Sequence, residues 1–283
     1  MNNVVDQLRT MKIKYDCIDE IRSKDGVLVY RVICDESRYI LKYFDKEIYR
    51  REITNYEMLQ SLGVQTIHIL EKTDCALLLE DIVQSNYFRL GIEQDMSDPV
   101  IATALASWYK NLHKKGEAYL ASNKIDIYSE NDYITLENIE RISKKTNTVK
   151  NHVWDVIKEH YKQIKNQIGN LTQTITYNDF YYTNLVVSKD KLSAFMFDYN
   201  MLGKGYAYAD IRNVTYSLKK DAKEAFLQAY GAFDKNEMFI DAVASTLTTL
   251  HFACLQEHIP KWALEYVMQI ENGELLRAVE RLI

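Results

Sequence analysis

The chain has 283 residues, of which 47% are hydrophobic and 27% charged, so it can bury a sizeable core and has the composition of a globular protein. A net charge of −5 argues against a nucleic-acid partner, and no run of eighteen apolar residues offers a membrane span. Cys17, Cys34, Cys75 and Cys254 form no C-x-x-C pair and the N-terminal M-N-N-V-V-D-Q-L-R-T has no signal-peptide core, which predicts free thiols in a cytoplasmic protein.

V-L-V-Y-R-V-I (27–33) and R-Y-I-L-K-Y-F (38–44) are β-rich runs joined through Asp35-Glu36-Ser37, an antiparallel hairpin. From 46 to 62 the period changes to helical, through Ile48, Ile53, Tyr56, Leu59 and Leu62, with Gly63 as the stop. Strands are expected near 64–70 and 75–82, turning at Lys72-Thr73-Asp74. Ser97-Asp98-Pro99 is a strong helix start, and that helix is expected to end at Lys114-Lys115-Gly116. A second helix is expected over 151–168, carried by Val153, Ile157, Tyr161, Ile164 and Ile168, with Gly169 past its end. β character returns between 174 and 198: a short strand, the loop Y-N-D-F-Y-Y-T-N, Leu185-Val186-Val187, a turn at Ser188-Lys189-Asp190, and Leu192 to Phe197. The remainder, from about 210, is helical in pattern.

The hairpin carries chemistry at its ends. Asp179 and Asn184 precede its first strand and Asp198 ends its second, so the three side chains can converge across nineteen residues of sequence. Asn184 and Asp198 are hard oxygen ligands suited to Mg²⁺, which binds few protein groups and completes its shell with water and phosphate. Asp179 is then free to accept a proton from an incoming hydroxyl, and together the three suffice for phosphoryl transfer. Lys42, in an otherwise apolar strand, can supply the cation for the nucleotide phosphates. If buried it needs a carboxylate partner, for which Glu52 and Glu57 both stand in the following helix. Residues 71–98 hold seven acids against Lys72 and Arg89, either a solvated face or a surface attracting a cationic small molecule.

These residues together resemble the aminoglycoside phosphotransferase and choline kinase family of the protein-kinase-like fold. Its His-Gly-Asp-x-x-x-x-Asn segment is similar to Tyr177-Asn178-Asp179 through Asn184. Its Asp-Trp/Phe-Glu segment, with a later Gly and Asp, is similar to Asp198-Tyr199-Asn200, Gly205 and Asp210. Its lysine strand, its following helix, its hinge and its Leu-x-x-Leu-His helix resemble Y-I-L-K, Arg51-Glu52 with Tyr56 and Leu59, L-L-L-E-D-I (77–82) and Leu112-His113.

The resemblance implies an α+β, two-lobed fold: a small β-sheet lobe with one helix over 1–82 and a larger, mostly helical lobe over 83–283 holding the catalytic loop, metal site and acceptor pocket. It implies Asp179 as catalytic base, Asn184 and Asp198 as Mg²⁺ ligands, and Lys42 held by Glu52 on the phosphates of ATP or GTP. Backbone groups of Glu80 and Ile82 would meet the purine, and Asp210 would brace the catalytic loop. The implied activity moves a γ-phosphate to a small-molecule hydroxyl, an aminoglycoside or similar cationic alcohol, by a monomer or weak dimer. A metabolic kinase for choline, an amino alcohol or a sugar shares this machinery, and a nucleotide-binding pseudokinase would keep the fold alone. Tyr177 and Asn178 depart from the family's His-Gly. The phosphate-covering segment R-S-K-D-G-V-L-V-Y carries a single glycine, Gly26, which argues against a protein kinase. His113 is expected to cap a helix end.

Overall fold

A computed structural model describes residues 2–283. In chain order it places α1 (Asn2–Thr10), β1 (Cys17–Lys24), β2 (Val27–Cys34), β3 (Ser37–Phe44), α2 (Arg51–Ser61), β4 (Ile69–Lys72), β5 (Ala76–Glu80), β6 (Phe88–Leu90) and α3 (Pro99–Ser122). Next come α4 (Leu136–Lys145), α5 (Val153–Glu159), α6 (Tyr161–Gly169), β7 (Thr174–Thr176), β8 (Leu185–Ser188), β9 (Ala194–Met196) and β10 (Gly203–Gly205). The chain closes with α7 (Ala207–Ser217), α8 (Lys220–Tyr230), α9 (Lys235–Cys254), α10 (Leu264–Glu271) and α11 (Glu274–Glu280). Packing groups residues 2–115, 177–202 and 213–231 into one compact unit and 116–176, 203–212 and 232–283 into a second. The four cysteines are free, and among the described residues no helix is long and apolar enough to cross a membrane.

In the first unit an antiparallel sheet runs β1-β2-β3-β5-β4. Both hairpins at its edge have two-residue turns: Asp25 and Gly26 (φ +56° and +94°) between β1 and β2, and Asp35 (φ +52°) with Glu36 between β2 and β3. An Asp-Gly pair suits such a turn because both central residues take positive φ. One face of the sheet, with Tyr30, Val32, Leu41, Tyr43 and Leu78, packs against Val4 and Leu8 of α1 and Met11 just past its end. The sequence pattern did not mark α1 or β1. β1 is an edge strand whose side chains are nearly all exposed, so it has no apolar alternation to find. β4 starts at Ile69, later than the strand expected near 64–70.

The stop after α2 is as expected. Gly63 (φ +64°) donates to the Gln60 carbonyl and Val64 to that of Leu59, the paired bonds of a left-handed cap. Asp98 likewise caps α3, its Oδ1 accepting from the Val100 N–H at 2.9 Å. The β8–β9 hairpin forms with Leu185 opposite Met196, and β6 joins it as a short third strand.

In the second unit, α4 to α6, α9 and α11 enclose Ile139, Ile142, Trp154, Ile157, Ile164, Val243, Leu247 and Val279. β7 pairs with β10. The single helix expected over 151–168 is two, α5 and α6, broken at His160 (φ −99°, ψ +15°), and Gly169 is the last residue of α6. The apolar spacing continues through the break, so periodicity alone does not reveal it.

Gly116 does not stop α3, which runs on to Ser122. Its missing side chain serves packing: a Cβ there would lie 2.5 Å from the Ile175 backbone nitrogen and 2.7 Å from Thr174 Oγ1. Helix propensity alone says that Gly116→Ala stabilises by about 1 kcal/mol. The close approach of β7 reverses that sign, and we expect a loss of roughly 1–3 kcal/mol in urea denaturation. A stabilised variant would show that β7 yields freely.

Candidate active site

The loop before β8 is shaped by its backbone. Asn178 has φ +67°, and the Asp179 N–H donates to the Tyr177 carbonyl at 3.0 Å, closing a tight three-residue turn that sets the Asp179 side chain. The Asn184 amide nitrogen donates to the Asp179 Oδ2 at 3.3 Å and to its main-chain oxygen at 3.4 Å. Antiparallel register does the rest: Phe197 N–H donates to the Asn184 carbonyl at 2.9 Å, so Asn184 stands beside the end of β9 where Asp198 follows. Asp198 itself has φ +64°, an uncommon and strained state for a non-glycine residue.

Lys42 lies on β3 and is buried. Its Nζ is 2.7 Å from Glu52 Oε1, 2.6 Å from Glu52 Oε2 and 2.7 Å from Asp198 Oδ1. Burial pulls the lysine pKa down, but the two carboxylates outweigh it and hold it above its ordinary value. The choice between Glu52 and Glu57 is thus settled in geometry, since Glu57 pairs with Lys72 at the surface. The direct contact between Lys42 and Asp198 was not anticipated from the sequence.

The strand end 197–201 is clamped by its carbonyls. Tyr177 Oη donates to Phe197 O, Asn55 Nδ2 to Tyr199 O at 2.8 Å, Arg51 Nε to Asn200 O at 2.7 Å, and Asn178 Nδ2 to Met201 O at 2.9 Å. The Glu52 Oε1 also accepts from the Tyr199 N–H at 3.3 Å. Tyr177, standing where the resembling family has His, therefore ties the loop before β8 to the backbone just before Asp198, and its ring packs edge-on with Trp108, Tyr109 and Tyr199. Asn55 was missed by sequence reasoning, although its place three residues after Glu52 on the same helix face was a signal. His113 does not stand at a helix end: it lies inside α3, buried, with Nδ1 2.8 Å from Tyr230 Oη.

Lys42, Glu52, Asp179, Asn184, Asp198 and Asn200 line one cleft of about 510 Å³, together with Arg22, Lys24, Val27, Val29, Ile40, Leu79 and the segment Glu80 to Val83. Burial, and then the Asp198 carboxylate, push the Asp179 carboxyl up to about 6; the Asn184 amide, Lys42 and Arg22 pull the other way. Glu80 donates its own N–H to the His68 carbonyl at 3.1 Å, so a purine contact there can use only its carbonyl.

The donor set fits a hard cation. The Asn184 nitrogen is spent on Asp179 and its oxygen is left over, Asp198 keeps one oxygen beyond its Lys42 contact, and the buried Asn200 Oδ1 has no hydrogen-bond donor. Among the described residues no three His, Cys, Asp or Glu cluster as a metal cage, which is what Mg²⁺, bound by few protein groups, requires least.

Three of the seven acids in the stretch 71–98 are ion-paired, while Glu71, Asp74 and Glu93 are exposed. Asp81 pairs with Arg31 at 2.8 Å, Asp95 with Arg89 at 2.7 Å and Asp98 with Lys191 at 2.8 Å, and Asp81 and Asp95 are buried. Arg31 and Lys191, both outside the stretch, neutralise two of its acids, which a count within the stretch cannot see. Asp210 is fully buried in the first turn of α7.

No protein-family model and no curated protein matches the sequence. Solved structures do match in fold. A choline kinase from Streptococcus pneumoniae superimposes with a TM-score of 0.63 at 13% identity, over 100% of this chain and 98% of that one. A macrolide 2'-phosphotransferase from Brachybacterium faecium gives 0.60 at 16% identity, over 96% and 98%. A spectinomycin phosphotransferase, solved with ADP and spectinomycin, gives 0.57 at 11% identity, over 99% and 98%. The chain therefore has the protein-kinase-like fold that choline kinases and antibiotic phosphotransferases share, as the resemblance implied.

Two outcomes follow from the site's electrostatics. Glu52→Gln, which leaves a buried ammonium half-paired, should cost of the order of 3 kcal/mol in thermal or urea unfolding. Glu57→Gln, at the surface, should cost less than about 1 kcal/mol; equal losses would contradict the burial contrast. In the metal-free protein, the Asp179 carboxyl followed by ¹³C NMR should titrate near pH 6, carboxyl below and carboxylate above. Asp198→Asn should move that midpoint to lower pH, and a midpoint at the ordinary aspartate value would remove the assigned cause.

Proposed function

We propose that this protein is a Mg²⁺-dependent kinase that moves the γ-phosphate of ATP or GTP to a hydroxyl group of a small molecule. One observation carries the reading: Lys42, held by Glu52 and touching Asp198, lines the same cleft as the hydrogen-bonded pair Asp179 and Asn184. The fold supports it, and so do its structural neighbours, which are named as kinases or phosphotransferases for choline, macrolides and spectinomycin.

In this reading the nucleotide base lies against Val29, Ile40 and Leu79, with the Glu80 carbonyl and the Ile82 N–H as its polar partners. Lys42 binds the phosphates, and Glu52 keeps its ammonium charged and aimed. Asn184 and Asp198 would hold Mg²⁺, which when bound neutralises charge on the phosphate oxygens. Asp179 orients the acceptor hydroxyl and takes its proton as the oxygen forms a bond to the γ-phosphorus. The bond from the γ-phosphorus to its bridging oxygen breaks, and the nucleoside diphosphate leaves with that electron pair. The lobes assigned as 1–82 and 83–283, and a monomeric or weakly dimeric cytoplasmic protein, belong to the same proposal. For the acceptor we propose a cationic alcohol of the aminoglycoside or amino-alcohol kind; the pairing of Asp81, Asp95 and Asp98 leaves the charge argument for it to the exposed Glu71, Asp74 and Glu93.

The test is purified protein with Mg²⁺ and ATP or GTP against a panel of aminocyclitols, amino alcohols and sugars, following nucleoside diphosphate release and the ³¹P spectrum of the acceptor. We expect transfer to at least one alcohol, with Asp179→Asn lowering kcat by at least about 10²-fold while nucleotide affinity stays near wild type. Nucleotide binding with no transfer to any acceptor would leave a pseudokinase instead.

A further inference from the structure

The nucleotide-covering segment Arg22-Ser23-Lys24-Asp25-Gly26 has one glycine, and the strands pair right up to it, Lys24 opposite Val27. A tight Asp-Gly turn of this kind is not a long glycine loop with free N–H groups to fold over a triphosphate. Charge at the terminal phosphate then has to come from side chains.

The register of β1 supplies one. From Cys17 to Glu20 the pairing with β2 is regular and ends with Glu20 opposite Tyr30. Glu20 lies on the outer, α1-facing side, where its Oε2 accepts from Tyr30 Oη at 3.1 Å. Regular pairing would next set Ile21 opposite Val29 and Arg22 opposite Leu28, which packs on the same outer side. The strand is instead bulged at Ile21, and Arg22 stands opposite Val29. Because facing alternates with every residue, that one extra residue turns Arg22 to the cleft.

Val29 in turn pairs with Lys42, so Arg22, Val29 and Lys42 form one cross-strand row on the cleft side of the sheet. Two inter-strand steps put the backbones of the two cations roughly 10 Å apart. Ile21 is left half exposed, so the bulge forgoes an apolar burial at that position. Of the other cations of this wall, Arg31 is committed to Asp81 and Lys42 to its two carboxylates, while Lys24, at the turn, has a single 3.8 Å contact with the exposed Asp25 beside it. Arg22 makes no ion pair among the described residues, yet it lines the cleft opposite Asp179 and its charge is felt by that carboxyl.

We propose that Arg22 is a further catalytic residue, its guanidinium binding the γ-phosphoryl oxygens of the nucleotide during transfer. This deepens the kinase reading and rests on it. Lys42 takes the inner phosphates at one end of the row, and Arg22 neutralises the charge that spreads over the transferring group at the other. A planar, permanently charged fork suits that task better than a lysine.

Binding of adenosine, Mg·ADP and Mg·ATP by calorimetry, with turnover of ATP, tests this in wild type, Arg22→Gln and Arg22→Lys. For Arg22→Gln we expect Mg·ATP binding weaker by about 10- to 100-fold, Mg·ADP much less affected and adenosine unchanged, with kcat reduced and Arg22→Lys recovering part. Equal binding and turnover in wild type and Arg22→Gln, or equal losses for all three ligands, would overturn the assignment while the kinase reading stood. A wild type that binds no nucleotide would overturn both.

Discussion

A lysine ammonium is buried between two carboxylates, and the first unit is arranged around that fact. Stripped of water, the Lys42 charge would cost several kcal/mol if left alone, so β3, α2 and the end of β9 are each obliged to present their part of the cluster. Glu52 comes from the first turn of α2 and Asp198 from far along the chain, which makes the contact a tie between local sheet structure and distant sequence. Its geometry is reinforced by neutral contacts, since Asn55 and Arg51 leave the same helix to hold the carbonyls just after Asp198. The cluster also leaves Asp198 an uncommitted oxygen, so the same residue can serve structure and bind a cation.

Two of the chain's positive-φ residues lie in the same place. Asn178 and Asp198 both take this costly conformation, and each is anchored on both sides. Asn178 has its side chain on the Met201 carbonyl and its own carbonyl on the Asn213 amide at 3.3 Å. Asp198 is held through Lys42 and through Tyr177 on the preceding carbonyl. A tyrosine reaches that carbonyl from the centre of an aromatic cluster, so the position needs a donor of suitable length and not the imidazole itself.

The parts of the site that were legible in the sequence are those fixed by simple arithmetic. A hairpin with a turn near 189 must bring residues 184 and 198 together, and an alternating strand must turn Lys42 inward toward a helix carrying Glu52. The parts that were not legible depend on partners remote in sequence. The acids at 81, 95 and 98 look like free charge until Arg31, Arg89 and Lys191 are found against them. Gly116 reads as a helix stop, yet it is a glycine because β7 passes too close for a side chain. α1 and β1 escaped because one is short and the other lies at an edge with both faces wet, and the break at His160 preserves the apolar spacing on either side.

The clamp on residues 197–201 acts on the main chain. Four side chains, from Tyr177, Asn55, Arg51 and Asn178, all bind main-chain oxygens of that segment. Carbonyl groups are supplied by any residue, so the clamp itself asks nothing of the segment's side chains; Asp198 is used directly through its carboxylate, and Tyr199 is held by burial in the aromatic cluster and by its bond to the Met196 carbonyl. The bulge at Ile21 works by the same economy, because a change of register, with no change in composition, decides whether an arginine faces α1 or the cleft. In a site built this way, spacing and backbone contacts carry the constraint, and residue identity is demanded only where charge meets charge.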